Sequence, residues 1–170
     1  MSSGPPITGA DLLQPDEAAF REVLGRFATG VTIVTAVAGD EPVGMAVNSF
    51  TSVSLDPPLV LFCAARTSTT WPRIRSARRF AVNILGDHQE DVSRLFATKG
   101  ADRFGSVAWH VGVSGAPLLD DVLAFVDCTI EAEHDAGDHV IVVGRVLDLG
   151  IGAECGPLLF HGGGYGRLLG

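Results

Sequence analysis

The spacing of hydrophobic and polar positions changes period several times along the chain, and each change marks an element. Phe20, Val23, Leu24 and Phe27 recur at i, i+3, i+4 and i+7, which is one apolar stripe of a helix. Pro15-Asp16-Glu17 opens that helix with a proline and acids suited to its N-terminus, and Gly30 stops it. Residues 31–37 are β-branched and predict a strand, and Gly39-Asp40-Glu41-Pro42 predicts a turn. Residues 43–54 read as one or two strands broken near Asn48-Ser49. Asp56-Pro57-Pro58 is a hard turn before a buried strand at 59–63. A short helix over 67–77 places Trp71 and Ile74 on one side. A strand follows at 80–85, then a helix over 87–97 with Val92, Leu95 and Phe96 inward. Residues 99–115 read as a polar connection around Phe104 and Trp109. Two long strands, 123–134 and 139–149, flank Asp135-Ala136-Gly137-Asp138, a hairpin signal. Residues 158–161 form a last strand that trails into a glycine run.

Seven or eight strands with helices inserted, and no regular βαβ alternation, disfavour a doubly wound parallel sheet. A mainly β architecture fits better: a closed antiparallel barrel with helices over its open ends. At 170 residues the chain predicts one domain, 15–170, preceded by a flexible leader at 1–14 rich in Ser, Gly and Pro. The leader has no basic segment before an apolar run, so it does not read as a secretory signal.

Charge narrows the function. The formal net charge is −8, which disfavours nucleic acid and anionic membranes as partners. No apolar run approaches the ~20 residues of a membrane helix. Cys63, Cys128 and Cys155 are an odd count at wide spacings with no zinc pattern, which points to a cytoplasmic chain without disulfides. His88, His110, His134, His139 and His161 have no metal-ligand spacing, so no metal is expected.

Three features could carry chemistry. Residues 44–58 are dense in small and hydroxyl side chains at a strand edge. Small side chains let a flat heterocycle approach the backbone, whose N–H and C=O groups then serve as partners; the other reading is a half-buried strand with a proline stop. Thr67, Ser68, Thr69 and Thr70 at a helix mouth, with Arg66, Arg73, Arg75, Arg78 and Arg79 around them, suggest an anion site. They read equally as a cap with solvated ion pairs. His139 and His161 are either turn histidines or a pair of imidazoles beside a redox ring. There is no GxSxG elbow and no GxxxxGK[ST] loop, and Lys99 is the only lysine.

Taken in order, residues 20–35, 48–61, 80–85, Asp102-Arg103-Phe104, 137–146 and 157–161 resemble the short-chain flavin reductase family, over about residues 18–168. These are reductase components of two-component flavin monooxygenases, on the FMN-binding split-barrel fold. The resemblance implies a homodimer of Greek-key-like barrels of about six strands. It also implies an NAD(P)H:flavin oxidoreductase, using NADH or NADPH to reduce FMN or FAD for a separate oxygenase. Carried over residue by residue, Met45, Ala46, Val47, Asn48 and Ser49 would edge the flavin ring, with Ser52 and Ser54 close by. Cys63, Ala64 and Ala65 would flank the ribityl chain, and Ser68, Thr69 and Thr70 would receive the phosphate. Asn83 and Arg94 are further candidates. His139, His161 and Tyr165 would face the nicotinamide. No side chain is expected to act as an essential acid or base, since the cofactor carries the hydride chemistry. A flavin- or heme-binding barrel without turnover, or a flavoenzyme reducing another acceptor, is the alternative the family leaves open.

Overall fold

The computed structural model describes residues 16–168; the expected leader at 1–14 lies outside the described residues. The elements in chain order are α1 (Glu17–Gly25), β1 (Thr29–Gly30), β2 (Thr32–Ala38), β3 (Glu41–Val47), β4 (Thr51–Leu55) and β5 (Pro58–Ala65). After them come α2 (Trp71–Ala77), β6 (Arg79–Ile84), α3 (Glu90–Ala97), β7 (Trp109–Val111) and β8 (Pro117–Leu119). The chain closes with β9 (Ala124–Ala136), β10 (His139–Ile151), β11 (Leu159–His161) and β12 (Gly164–Gly166).

The main sheet is antiparallel and has seven strands in the order β3-β2-β6-β9-β10-β5-β4. That is one more than the six expected, because β4 pairs onto β5 as an edge strand. The edges are not joined by a ladder. Instead Ser49, just past β3, accepts a hydrogen bond from the Cys63 backbone N–H of β5 at 2.9 Å. The barrel is therefore split, with a hydroxyl fastening its seam.

Strand β2 explains the layering. Its residues 32–36 are all buried, because both faces are covered. Val34 and Ala36 join the barrel core with Phe62, Phe80, Val82, Val142, Trp71 and Ile74, while Ile33 joins a second core with Leu85, Phe96, Leu119 and Leu158. Phe62 meets Trp71 and Phe80 edge-on, at 5.9 and 5.3 Å between centroids. This fixes α2 over the barrel.

Four short strands were not foreseen: β1, β7, β8 and β12. The polar connection at 99–115 contains β7, which pairs with β8 in a small ribbon. The glycine run is a turn: Gly162 and Gly163 take φ of 58° and 80°, which glycine adopts without a Cβ clash, and β12 folds back on β11. Helix α1 ends at Gly25 rather than at the expected stop, Gly30, so Phe27 lies beyond it. Helix α1 is capped by Asp16, whose carboxylate accepts from the Ala18 N–H, yet it buries no residue. Phe20 is 55% exposed, Val23 66%, Leu24 51% and Phe27 73%.

Candidate functional site

A cleft of about 460 Å³ opens where β3 ends beside β5 and α2. One wall is Met45, Ala46, Val47, Asn48 and Ser49; the facing wall is Cys63, Ala64 and Ala65 from the end of β5. Thr67, Ser68, Thr69 and Thr70 line one end. Phe96, Ala97, Lys99 and Arg103 come from α3 and the segment after it, and His139 comes from the start of β10. His139 reaches the cleft because its register partner is Ala65. Gly44 makes room for Phe96: a Cβ there would sit 2.7 Å from Phe96 Cε1, so a side chain would displace this ring of the cleft lining.

The hydrogen bonds change the expected anion site. Ser68 Oγ accepts from the backbone N–H groups of Thr70 and Trp71 at 3.2 and 3.1 Å, so these donors are already used in starting α2. Positive charge comes from elsewhere. Arg103 Nη1 donates to Gly44 O at 2.7 Å and to Thr70 Oγ1 at 2.9 Å, and Nη2 donates to Thr98 O at 3.0 Å. Its Nε–H is buried without a partner. Burial lowers the pKa of this guanidinium, but arginine's ordinary value is too high for the charge to be lost near neutrality. The arginines around α2 are engaged outside the cleft: Arg73 with Glu41, Arg75 and Arg78 with Glu133, Arg66 with Asp135.

A second hollow, about 200 Å³, lies across the same wall. Ala46, Val47 and Asn48 line it too, with Val31, Ser93, Phe160 and Tyr165. Tyr165 is held by a 2.8 Å hydrogen bond to Ser93, an edge-on contact with Phe160 at 5.4 Å, and the Arg94 guanidinium 4.8 Å above its ring.

A sequence model described as "Flavin reductase like domain" matches residues 24–169. The chain belongs to this flavin reductase family. It is 44% identical over 154 residues to the reductase subunit HsaB of a flavin-dependent monooxygenase from Mycobacterium tuberculosis, covering 89% of this chain and 82% of that protein. A flavin reductase from Pseudomonas putida is 47% identical over 148 residues, covering 86% of this chain and 87% of that protein. Among solved structures, the NADH:FAD oxidoreductase SgcE6 of Streptomyces globisporus, in complex with NAD and FAD fragments, superposes with a TM-score of 0.87. It is 41% identical, covering 93% of this chain and 96% of that one.

In this flavin reductase the fold gathers most of the residues singled out from the sequence. Met45 to Ser49, Cys63 to Ala65, Ser68 to Thr70 and His139 share the larger cleft, and Tyr165 lies in the smaller one. Others stand apart. Ser52 and Ser54 lie on the edge strand β4, outside both clefts. His161 is on the small β1-β11-β12 sheet, so within one chain it forms no pair with His139 on β10. Arg94 does not reach the larger cleft; it pairs with Glu90 at 2.6 Å, which raises its pKa, and covers Tyr165. Asn83 is corrected outright. It is fully buried, donates to Ile33 O and Thr35 Oγ1, and accepts from the Leu119 N–H at 2.8 Å, so it ties β2, β6 and β8 together.

Sequence reasoning missed Phe96, Ala97, Lys99 and Arg103 in this flavin reductase's larger cleft. Two signals could have found the cations. Arg103 lies in the quoted Asp102-Arg103-Phe104 block, and Lys99 is the only lysine of the chain.

Proposed function

We propose that this protein is an NAD(P)H:flavin oxidoreductase, moving hydride from NADH or NADPH to FMN or FAD and supplying reduced flavin to a separate monooxygenase. The observation that carries the reading is a local reversal of charge. The chain is acidic overall, yet Lys99 and Arg103 line the larger cleft and no carboxylate does. That lining suits an anionic cofactor.

Lys99, Arg103, Thr69 and Thr70 would hold the flavin phosphate. Met45 to Ser49 and Cys63 to Ala65 would hold the ring system through backbone groups, with Ser49 keeping the two segments at fixed separation. His139 is oriented by Asp138, whose Oδ1 is 2.8 Å from its Nδ1, and would bound the nicotinamide where it stacks directly on the flavin ring in the larger cleft, as hydride transfer requires contact between the two rings. A bound flavin supplies the hydride acceptor, and the side chains supply position and electrostatics. The HsaB relative, a reductase subunit, supports the separate oxygenase. The uncovered α1 stripe supports a homodimer. Three free cysteines support a cytoplasmic location, and no described helix is long and apolar enough to cross a membrane.

The test is steady-state oxidation of NADH and of NADPH with FMN, with FAD and with neither. Turnover that requires added flavin is expected. Bound flavin without nucleotide oxidation would point to a binding module and overturn the reductase reading.

A further inference from the structure

Away from both clefts, the turn between β6 and α3 meets the loop that precedes β11. Here we propose a binding site for a divalent transition-metal cation, best matched by zinc, formed by Asp87, His88 and Cys155. One donor atom from each of the three lies within 4.8 Å of the others. Donors of this set around a tetrahedral zinc stand roughly 3.3–3.5 Å apart, given Zn–N and Zn–O near ~2.0 Å and Zn–S near ~2.3 Å. Small side-chain rotations close that difference.

The backbone holds the two segments in place. Asp87 N donates to Gly156 O at 2.8 Å, Leu158 N donates to Leu85 O at 3.0 Å, and Gly86 bridges to Pro157. Two glycines then make room for the donors. A Cβ at Gly86 would lie 2.6 Å from Cys155 Sγ and 2.8 Å from the His88 ring, and one at Gly156 would lie 3.1 Å from Asp87 Oδ2.

The three donor groups do not satisfy each other. His88 Nδ1 is 3.7 Å from Asp87 Oδ1, too long for a hydrogen bond, and Cys155 Sγ has only a weak contact at 3.8 Å to Ala153 O. A thiolate, an imidazole and a carboxylate together suit zinc rather than calcium or magnesium, which prefer all-oxygen shells. Side-chain exposures of 49% for His88 and 33% for Asp87 leave the fourth position to water. Binding transfers the Cys155 thiol proton to solvent as the sulfur–metal bond forms. The bound cation then staples the β6–α3 turn to the loop that leads into β11.

The experiment uses the full, untagged chain titrated with Co²⁺ as a spectroscopic stand-in for zinc. The expected result is visible d–d bands with a near-ultraviolet thiolate charge-transfer band, saturating at a single equivalent. Cys155→Ser should remove the charge-transfer band, and His88→Ala should weaken binding roughly tenfold or more. Cys63→Ser, at a thiol in the larger cleft, should leave the spectrum unchanged. In the unaltered protein, Zn²⁺ should slow alkylation of Cys155 but not of Cys63, a readout that requires no variant. The proposal falls if the unaltered chain gives no charge-transfer band, if the band survives Cys155→Ser, or if Zn²⁺ leaves Cys155 alkylation untouched.

Discussion

Helices α1 and α2 both pair an apolar stripe with arginines, and the fold treats them oppositely. Helix α2 presses Trp71 and Ile74 into the barrel, where both are buried. Its first turn is tied into the larger cleft by Ser68 and by the Arg103–Thr70 hydrogen bond. Helix α1 buries nothing, and a hydrogen bond from Gly162 N to Gly25 O anchors its C-terminal end. An amphipathic pattern states that a face wants cover, and only the geometry of the chain states where the cover comes from.

The contrast can be broken most sharply at Trp71. Trp71→Ala empties a buried site against Phe62 and should cost about 3–5 kcal/mol in denaturant unfolding. A loss under about 1 kcal/mol would mean that α2 is as loosely seated as α1. The α1 counterpart is Phe20→Ser with Val23→Ser. If α1 forms the proposed homodimer contact, sedimentation at dilute concentration should show a halved mass, with the larger cleft still able to bind flavin. Unchanged mass would show that the α1 stripe is not the dimer contact.

The tie between α2 and the cleft is tested by Arg103→Met, which removes the charge and leaves much of the stem. The KM for flavin should rise roughly tenfold or more, about 1.4 kcal/mol, as for loss of a charged hydrogen bond. Arg75→Met, whose partner Glu133 lies outside the cleft, should change it less than about twofold. The smallest effect lies at Asp138. The hydrogen bond from His139 and then its charge hold this carboxyl below the ordinary value, with a lesser contribution from Arg21 on α1. A depressed carboxyl stabilises the fold above its unfolded pKa of ~3.9, and that stabilisation fades as pH falls through the lower folded value. Asp138→Asn should therefore lower stability slightly at pH ~7 and not at pH ~2, measured as a paired difference in unfolding midpoint. An equal effect at both would exclude the ion pair as its source.

Much of this molecule could be read in advance because its signals were local. The β-branched run of β2, the hairpin between β9 and β10, and the Trp71–Ile74 face each depend on neighbours in sequence. The small-residue stretch at 45–49 and the end of β5 also converge, because a seam between strand edges needs small side chains. What escaped was long-range. The family resemblance implies Asn83 as a cofactor-binding candidate, yet its amide is spent joining three strands. Lys99 and Arg103 reach the cleft only because α3 packs against β3 and β2 and returns the following segment across Gly44. His139 and His161 looked like a pair on composition, and their strands lie in different sheets. Asp87, His88 and Cys155 have no metal spacing in sequence, and the pairing of Gly86 with Pro157 brings them together.

The partition formed by Ala46, Val47 and Asn48 is only one strand end thick, and it has a guest chamber on either side. Any shift that one occupant forces on it is handed to the other, and to the same extent in both directions, because linkage between two binding events is reciprocal. An occupant of one hollow can thereby tighten or loosen the hold on an occupant of the other with no hinged cover.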